Sequence, residues 1–293
     1  MTAEVSPAQK AVERLSSSID NGDLYQALQL FKTQHARAKK KGDLSQATEL
    51  AFRGAKLMLE KSEVNAGSDL ARDFLDLLKL QHDLEYEKVL QDIIVLDLAF
   101  SALEGDEASR ERKRYLKIAI EFTSERGPWA HGDPELHRLA GRANLKEGDI
   151  LATSKHMIHA HRPDEFNTIL IKWANSGPES ERDLYLARAV LQLLCFENLR
   201  DANALNKLFR AEFPNLDTPL MRFIGFLLRT LERDAYPLFQ TLRQKYATSI
   251  ARGNAPNSSF DAYLDKIAQV FYGVAPPKSG MANMMESLMK NLF

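Results

Sequence analysis

Apolar residues recur along almost the whole chain at the three- and four-residue spacing of an α-helix, and no segment alternates convincingly like a β-strand. Leu24, Leu28 and Phe31 fall on one face of a helix that is predicted to begin after Gly22-Asp23. The next helix is predicted to have a longer apolar face, made of Leu44, Ala47, Leu50, Ala51, Ala55, Met58 and Leu59. The pattern therefore predicts an all-helical protein.

Turn-forming residues interrupt the helical pattern at regular intervals and predict about 14 or 15 helices. Glycine can take the left-handed conformation that ends a helix, and a following Asp or Ser can accept hydrogen bonds from the first turn of the next helix. The predicted turns are Gly22-Asp23, Gly42-Asp43, Gly67, Gly105, Gly127-Pro128, Gly148-Asp149, Gly177-Pro178 and Pro214.

The predicted helices group into hairpins of about 35–45 residues, which is the period of tetratricopeptide and HEAT arrays. Residues 23–27 (Asp-Leu-Tyr-Gln-Ala) and 43–47 (Asp-Leu-Ser-Gln-Ala) even share a local pattern. We therefore predict a right-handed α-solenoid of stacked helical hairpins. Such stacks expose long surfaces that suit protein binding.

The composition narrows the classes of function. Lys and Arg number 39 and Asp and Glu 40, so the net charge is -1, which argues against a general nucleic-acid binder. The single cysteine, Cys195, excludes an intrachain disulfide and a zinc site made of cysteines. Because its neighbours are apolar, we expect a buried structural thiol.

Neither a membrane span nor a signal peptide is predicted from the sequence, and the cytosol is the expected compartment. Residues 273–280 read as a flexible connector, and the residues after it form an apolar stripe rich in methionine. This last predicted helix could pack back onto the final hairpin, enter a partner's groove or, less consistently with its few charges, lie on a membrane surface.

Catalytic and metal-binding motifs are not found. His156 and His159 have a spacing that could converge on a metal, and His161 follows, but no His-Glu-x-x-His pattern or completing carboxylate accompanies them. The sequence also offers no nucleophile motif, phosphate loop or dinucleotide fingerprint. We therefore expect no metal, no cofactor and no enzymatic activity.

The first two hairpins carry charge of both signs. Lys39, Lys40 and Lys41 form a basic run, and Asp69, Asp73 and Asp76 share one face of a later predicted helix; Lys32, Arg37, Arg53, Lys56 and Lys61 add to the basic side. These charges could simply be solvated helix ends. Alternatively, they could form docking surfaces that steer a charged partner.

Several stretches together resemble one family. They are Gly22 to Gln29, Ala47 to Leu50, Arg53 to Ala55, Ala66 to Ala71, Trp129 with Gly132 to His137, Leu184 to Gln192 running on to Asn203, and Met284 to Leu288. The combination resembles the adaptor subunit of the guided-entry pathway for tail-anchored membrane proteins, the Golgi-to-ER traffic family. The animal counterpart belongs to the transmembrane-domain recognition complex.

The resemblance implies a scaffold without catalytic activity that bridges two partners. Residues 1–145 would dock the targeting ATPase, and residues 146–272 would hold a ubiquitin-like protein that recruits a co-chaperone loaded with client. Residues 273–293 would form the connector and an amphipathic C-terminal helix. No direct, stable insertion into the membrane is implied, because the scaffold only promotes handover of the client for delivery to the endoplasmic reticulum.

Site residues also follow from the resemblance. The candidates for the ATPase are Tyr25, Gln29, Arg37, Lys41, Asp69 and Asp73. Those for the ubiquitin-like protein are Phe223, Phe226, Tyr263, Phe271 and Tyr272, which could equally be core residues. Tyr25 could likewise pack between helices, and Arg37 could cap a helix end.

The chain departs from the family's pattern at one place, and one alternative function remains open. Some members of the family carry an insertion with a β-hairpin between late helices, where this chain has only residues 214–219. The alternative function is a solenoid subunit of a large assembly, of the proteasome-lid or translation-initiation-factor kind. Those subunits often end in a winged-helix module with short strands, and the final stretch here predicts none.

Overall fold

The computed structural model describes residues 7–20, 24–254 and 259–274, and in these ranges every regular element is helical. This confirms the predicted all-helical fold and the predicted number of helices. The chain divides into two compact units, which meet in sequence at Gly148 and Asp149. The connector beyond Val274 and the methionine-rich stripe lie outside the described residues.

In the first unit, the part of the chain that the structure describes forms seven helices. They are α1 (Pro7–Asp20), α2 (Leu24–Lys41), α3 (Leu44–Glu60), α4 (Val64–Lys79), α5 (Tyr86–Ser101), α6 (Asp106–Arg126) and α7 (Pro134–Lys146). Helix α3 is the central element, because it packs on α1, α2, α4 and α5. Helix α6 then packs on α4, α5 and α7.

Among its described residues, the second unit contains eight helices and one 3₁₀ turn. They are α8 (Ile150–Met157), α9 (Pro163–Ser176), the turn Glu179–Glu181, α10 (Arg182–Cys195), α11 (Leu199–Glu212), α12 (Pro219–Glu232), α13 (Tyr236–Lys245), α14 (Ala247–Ala251) and α15 (Phe260–Tyr272). Helix α10 is buried on nearly all sides, since α9, α11, α12 and α15 all pack on it.

Four hairpin turns share one hydrogen-bonding pattern, in which a residue with positive φ is followed by the N-cap of the next helix. The N–H of that N-cap donates to the carbonyl five residues earlier, which satisfies a free carbonyl at the helix end. The positive-φ residues are Gly42 (75°), Ser62 (64°), Glu197 (58°) and Asp234 (49°). The bonds run from Asp43 to Ala38 (3.1 Å), Glu63 to Met58 (2.8 Å), Asn198 to Leu193 (3.1 Å) and Ala235 to Thr230 (3.2 Å).

Gly67 was predicted to be a turn, and this prediction is wrong. Gly67 lies inside α4, where it is buried against α3. A Cβ atom at this position would lie 2.7 Å from Cδ2 of Leu59. The glycine therefore permits close approach of α3 and α4 rather than ending a helix.

Gly54 of α3 plays the same part for α2. The ring of Phe31, a buried residue of α2, lies over Gly54, and a Cβ there would be 2.5 Å from Cε1 of Phe31 and 3.1 Å from Cδ1 of Leu70 in α4. The missing side chain thus makes room for an aromatic ring between three helices. This contact fixes which face of α2 is turned outward.

An ion pair is buried inside the first unit between α5 and α6. Arg112 donates to both oxygens of Asp97, at 2.7 Å and 2.9 Å. The Asp97 side chain is only 2% exposed and that of Arg112 15%. Removing one partner would leave the other charge buried without compensation.

The second unit is tied together by a carboxylate. Asp183 of α10 is 1% exposed and accepts a hydrogen bond from Oγ1 of Thr218 at 2.7 Å and one from Nη1 of Arg252 at 2.9 Å. Thr218 is the N-cap of α12, and Arg252 directly follows α14. The carboxylate therefore joins the starts of α10 and α12 to the end of α14.

We predict that Gly54→Ala destabilises the protein by about 1–3 kcal/mol, because the added methyl group overpacks the contact with Phe31. Helix propensity alone would favour alanine by about 1 kcal/mol. Chemical denaturation of the full chain measures the difference. In a Phe31→Leu background, Gly54→Ala should cost much less stability. If Gly54→Ala costs as much in that background as in the wild type, overpacking against Phe31 is not the cause.

We also predict that Arg112→Ala lowers the free energy of unfolding by about 3–5 kcal/mol, since it leaves Asp97 charged and buried. The control is Arg114→Ala on the same helix, whose side chain is 61% exposed in its pair with Glu111. That change should cost less than about 1 kcal/mol. Urea denaturation measures the free energy of unfolding of both variants. Similar losses in the two would contradict a larger contribution to stability from the buried pair with Asp97.

Candidate binding surfaces

The outer face of α2 is exposed and carries most of the residues predicted to contact an ATPase. Tyr25 is 74% exposed, and Gln29, Arg37 and Lys41 are also exposed. These positions lie opposite the side that faces α3, where Phe31, His35 and Ala38 are buried. Tyr25 therefore does not pack between helices, which was one of its two interpretations.

This outer face is basic. Lys32, Arg37, Lys40 and Lys41 are exposed on α2, and the last turn of the helix contains three consecutive lysines. Positive charge at this end is favoured by the helix dipole. The same charges form a surface that would attract an anionic partner.

Helix α4 contributes the acidic part of the surface. Nζ of Lys39 donates to Oδ1 of Asp73 at 3.1 Å, and Nδ1 of His35 lies 3.7 Å from Oδ2 of the same carboxylate. Asp69 is exposed and is paired with Arg72 at 2.6 Å within α4, while Asp76 is exposed. The structure thus joins one predicted residue, Asp73, to the basic helix and places Asp69 one turn away.

His35 is a member of this cluster that the sequence argument did not single out. The side chain is buried, and its Nε2 has no hydrogen-bond partner in the described part of the chain. Burial lowers the pKa of His35; Asp73 opposes this effect and Lys39 adds to it. The signal was present in the sequence, because His35 and Lys39 follow Phe31 at four-residue intervals along one face.

In the second unit, the five predicted aromatic residues separate by exposure. Phe223 and Tyr263 are buried and belong to the core, whereas Phe271 and Tyr272 are half-buried. The Tyr272 ring packs on Tyr236 with 5.1 Å between ring centroids. Of the five, Phe226 is the exposed one, at 46%.

Phe226 lines a groove between α11 and α12. The groove has a volume of about 750 Å³, and most of its charged lining residues are Arg or Lys. Residues 213–218 join the two helices, and Thr218 caps α12 by accepting a hydrogen bond from the N–H of Met221. A short connection was predicted here, and no strand is found in the described ranges of the chain.

The histidines that suggested a metal site make other contacts. Nδ1 of His161 lies 3.2 Å from Oδ2 of Asp201, and the His159 ring packs edge-on against Phe196. Burial alone would raise the pKa of Asp201, but the hydrogen bonds from His161, Arg200 and Asn198 together outweigh it and hold this pKa at about 2. Within the residues that the structure describes, no group of three or more His, Cys, Asp or Glu side chains could hold a metal ion.

Cys195 is buried, as expected, and burial raises the pKa of its thiol to about 12. The helices that are described include none that is both long and apolar enough to cross a membrane.

The fold matches a solved structure. The crystal structure of C. therm. Get4 superposes with a TM-score of 0.79, covering 97% of this chain and 96% of that chain at 24% sequence identity. At this identity the likeness shows the fold, which is an all-α solenoid.

Sequence comparisons agree over nearly the same length. Protein GET4 of Arabidopsis thaliana is 33% identical, with 92% of each chain covered. The Golgi to ER traffic protein 4 homolog of Dictyostelium discoideum is 32% identical over 96% of this chain and 89% of that protein. The human homolog is 28% identical over 96% of this chain and 86% of its own length. A family profile described as Golgi to ER traffic protein 4 matches residues 41–293. The chain therefore belongs to the Golgi to ER traffic protein 4 family.

Proposed function

We propose that this protein is a non-catalytic adaptor in the delivery of tail-anchored membrane proteins to the endoplasmic reticulum. It would bind a targeting ATPase through its first unit and a ubiquitin-like protein through its second, with co-chaperones attached indirectly. The exposed, basic outer face of α2 is the observation that carries the proposal. Membership in the family supports the pathway, and it gives no support to the alternative of a proteasome-lid or initiation-factor subunit.

The surface around α2 has the composition of a protein-binding site. Tyrosine and arginine are the residue types that most often dominate binding energy, and Tyr25 and Arg37 are both exposed here. Gln29 lies one turn from Tyr25, and Lys41 ends the helix. Asp69 and Asp73 on α4 would contact basic residues of the ATPase at the edge of the same surface.

On the second unit, Phe226 is the proposed contact for the ubiquitin-like protein, since its ring is exposed. Phe271 and Tyr272 are partly accessible and would border the contact. Phe223 and Tyr263 are buried and would act only by holding the helices in place. Nε2 of Gln192 donates to the hydroxyl of Tyr263 at 3.2 Å, which joins α10 to α15.

The proposed place of action is the cytosol, where the protein would hand a hydrophobic client helix from the co-chaperone to the ATPase. The adaptor itself would not insert stably into the membrane. Holding the two partners on one scaffold raises their effective concentration for each other, which requires no chemical step by the adaptor.

We predict that the double variant Arg37→Glu with Lys41→Glu weakens binding of the targeting ATPase about tenfold to a hundredfold at low salt. Its affinity should also depend less on salt than that of the wild type, because the steering charge is lost. The matched control is Lys88→Glu with Lys117→Glu, which makes the same charge change on exposed residues of α5 and α6. Calorimetric titration at several salt concentrations measures both.

Tyr25→Ala should weaken the same complex at every salt concentration, since its contribution comes from buried apolar area. If the charge-reversal variant bound the ATPase as tightly as its control at all salt concentrations, the basic face of α2 would be the wrong surface.

We predict that Phe226→Ala weakens binding of the ubiquitin-like protein by about thirtyfold, the effect of losing an aromatic hot spot. The thermal stability should change little, because the ring is exposed. Leu151→Ala on α8, which also truncates an exposed apolar side chain, is the control. If Phe226→Ala leaves the affinity for the ubiquitin-like protein unchanged, the contact lies elsewhere on the second unit.

A further inference from the structure

The groove between α11 and α12 is lined by positive charge from both sides. Helix α11 contributes Arg200, Lys207 and Arg210, and helix α12 contributes Arg222 and Arg229. One carboxylate, that of Glu232, is among the lining residues. The net charge of the lining is therefore +4, five cations less one anion, within a chain whose total is -1.

The groove is fixed in width by contacts between the two helices. Nδ2 of Asn203 donates to Oε1 of Glu232 at 2.9 Å, which joins the start of α11 to the end of α12. At the other end, Arg210 of α11 donates to the backbone carbonyl of Met221 on α12, and a second hydrogen bond, to Oδ1 of Asn206 within α11, orients the Arg210 side chain. Small residues, Ala204 and Gly225, leave space between these two ties.

Several of the cations are free to bind a ligand. Lys207 and Arg229 are exposed, and neither side chain forms an ion pair or hydrogen bond with the described residues. Arg200 is 75% exposed although its Nε donates to Asp201 at 2.9 Å. In contrast, Arg222 is held by Asp217 at 2.6 Å, and Arg210 is engaged in the helix contacts above.

The lining repeats with a helical period on both walls. The lining positions are 200, 203, 204, 206, 207 and 210 on α11, and 222, 225, 226, 228, 229 and 232 on α12, which runs antiparallel to α11. Each wall spans eleven residues, and its ten steps of helical rise correspond to about 15 Å, or roughly three helical turns. A groove between two helices that has an aromatic ring on one wall matches the way an amphipathic helix is recognised.

We propose that this groove binds an acidic, amphipathic helix of a partner protein. Carboxylates spaced three or four residues apart on that helix would meet Arg200, Lys207 and Arg229, and an apolar side chain between them would cover Phe226. The positive lining selects the sign of the partner's charge. The near-neutral charge of the whole chain favours a peptide over a nucleic acid, because nucleic-acid-binding domains are typically strongly basic.

The groove includes Phe226, which is also the proposed contact for the ubiquitin-like protein. The groove inference therefore deepens the proposed function, and it rests on that function only for the identity of the partner. It adds the chemistry of the segment that the partner presents. Charge would also make the association faster and dependent on salt.

The test uses the full chain and a fluorescein-labelled amphipathic peptide of about 15 residues, with glutamates at helical spacing and leucines between them. We expect saturable binding by fluorescence anisotropy that weakens as salt rises. Lys207→Glu with Arg229→Glu should reduce the affinity at least tenfold. The matched control, Lys172→Glu with Arg188→Glu, reverses two exposed charges on α9 and α10 and should bind as the wild type does.

Circular dichroism and thermal unfolding confirm that both double variants fold. Equal binding by the double variant and its control, equal binding of a peptide with the same residues in scrambled order, or displacement by single-stranded RNA at lower concentration than by unlabelled peptide would each overturn the inference.

Titration of the ubiquitin-like protein itself separates this inference from the proposed function. If it binds the wild type and the Lys207/Arg229 double variant equally, the groove inference fails and the adaptor function stands. If it does not bind the wild type, but the peptide still binds in a way that needs Lys207 and Arg229, the proposed partner is wrong and the groove inference stands.

Discussion

Close approach between neighbouring helices is the constraint on which the first unit depends. Phe31 fits between α2, α3 and α4 only because position 54 has no side chain, and α4 fits against Leu59 only because position 67 has none. A helix held in this way cannot rotate to present another face. The basic outer face of α2 is therefore a consequence of apolar packing on its opposite side. The same packing places His35 and Lys39 beside Asp73.

Charge in this protein is organised locally. The total is close to zero, yet α2 and the groove between α11 and α12 are both basic, and both are exposed. Buried charges serve the fold: Asp97 is neutralised by Arg112, and Asp183 by Arg252 with a hydrogen bond from Thr218. Exposed charges, which contribute little to stability, remain available for partners.

Much of the fold could be predicted from the sequence, because helical period and glycine turns are local signals. Every residue predicted for the apolar face of α3 after Leu44 is buried, and Gly42 and Gly148 both have positive φ between helices. The turns at Ser62, Glu197 and Asp234 could not be foreseen, since residues other than glycine rarely take this conformation. The turn predicted at Gly67 is wrong because a glycine permits close packing of two helices as readily as it permits a turn.

The candidate surfaces were less predictable, because pairing between distant residues has no local signature. Asp73 meets Lys39, which is 34 residues away in the chain. The exposure of Phe226 could have been predicted from the helical period. The buried positions of α12 include 223, 224, 227, 228 and 231, and position 226 lies outside that stripe. The cations of the groove come from two helices, so only the packed pair reveals them.

In the proposed function, one chain holds two partners at once on separate units. Sedimentation of the full chain with the targeting ATPase and the ubiquitin-like protein measures whether the two partners bind together. We expect one species that contains all three proteins, and an ATPase affinity that does not change when the ubiquitin-like protein is present. Mutual displacement of the two partners, or failure to form the three-part complex at concentrations where each pair forms, would contradict it.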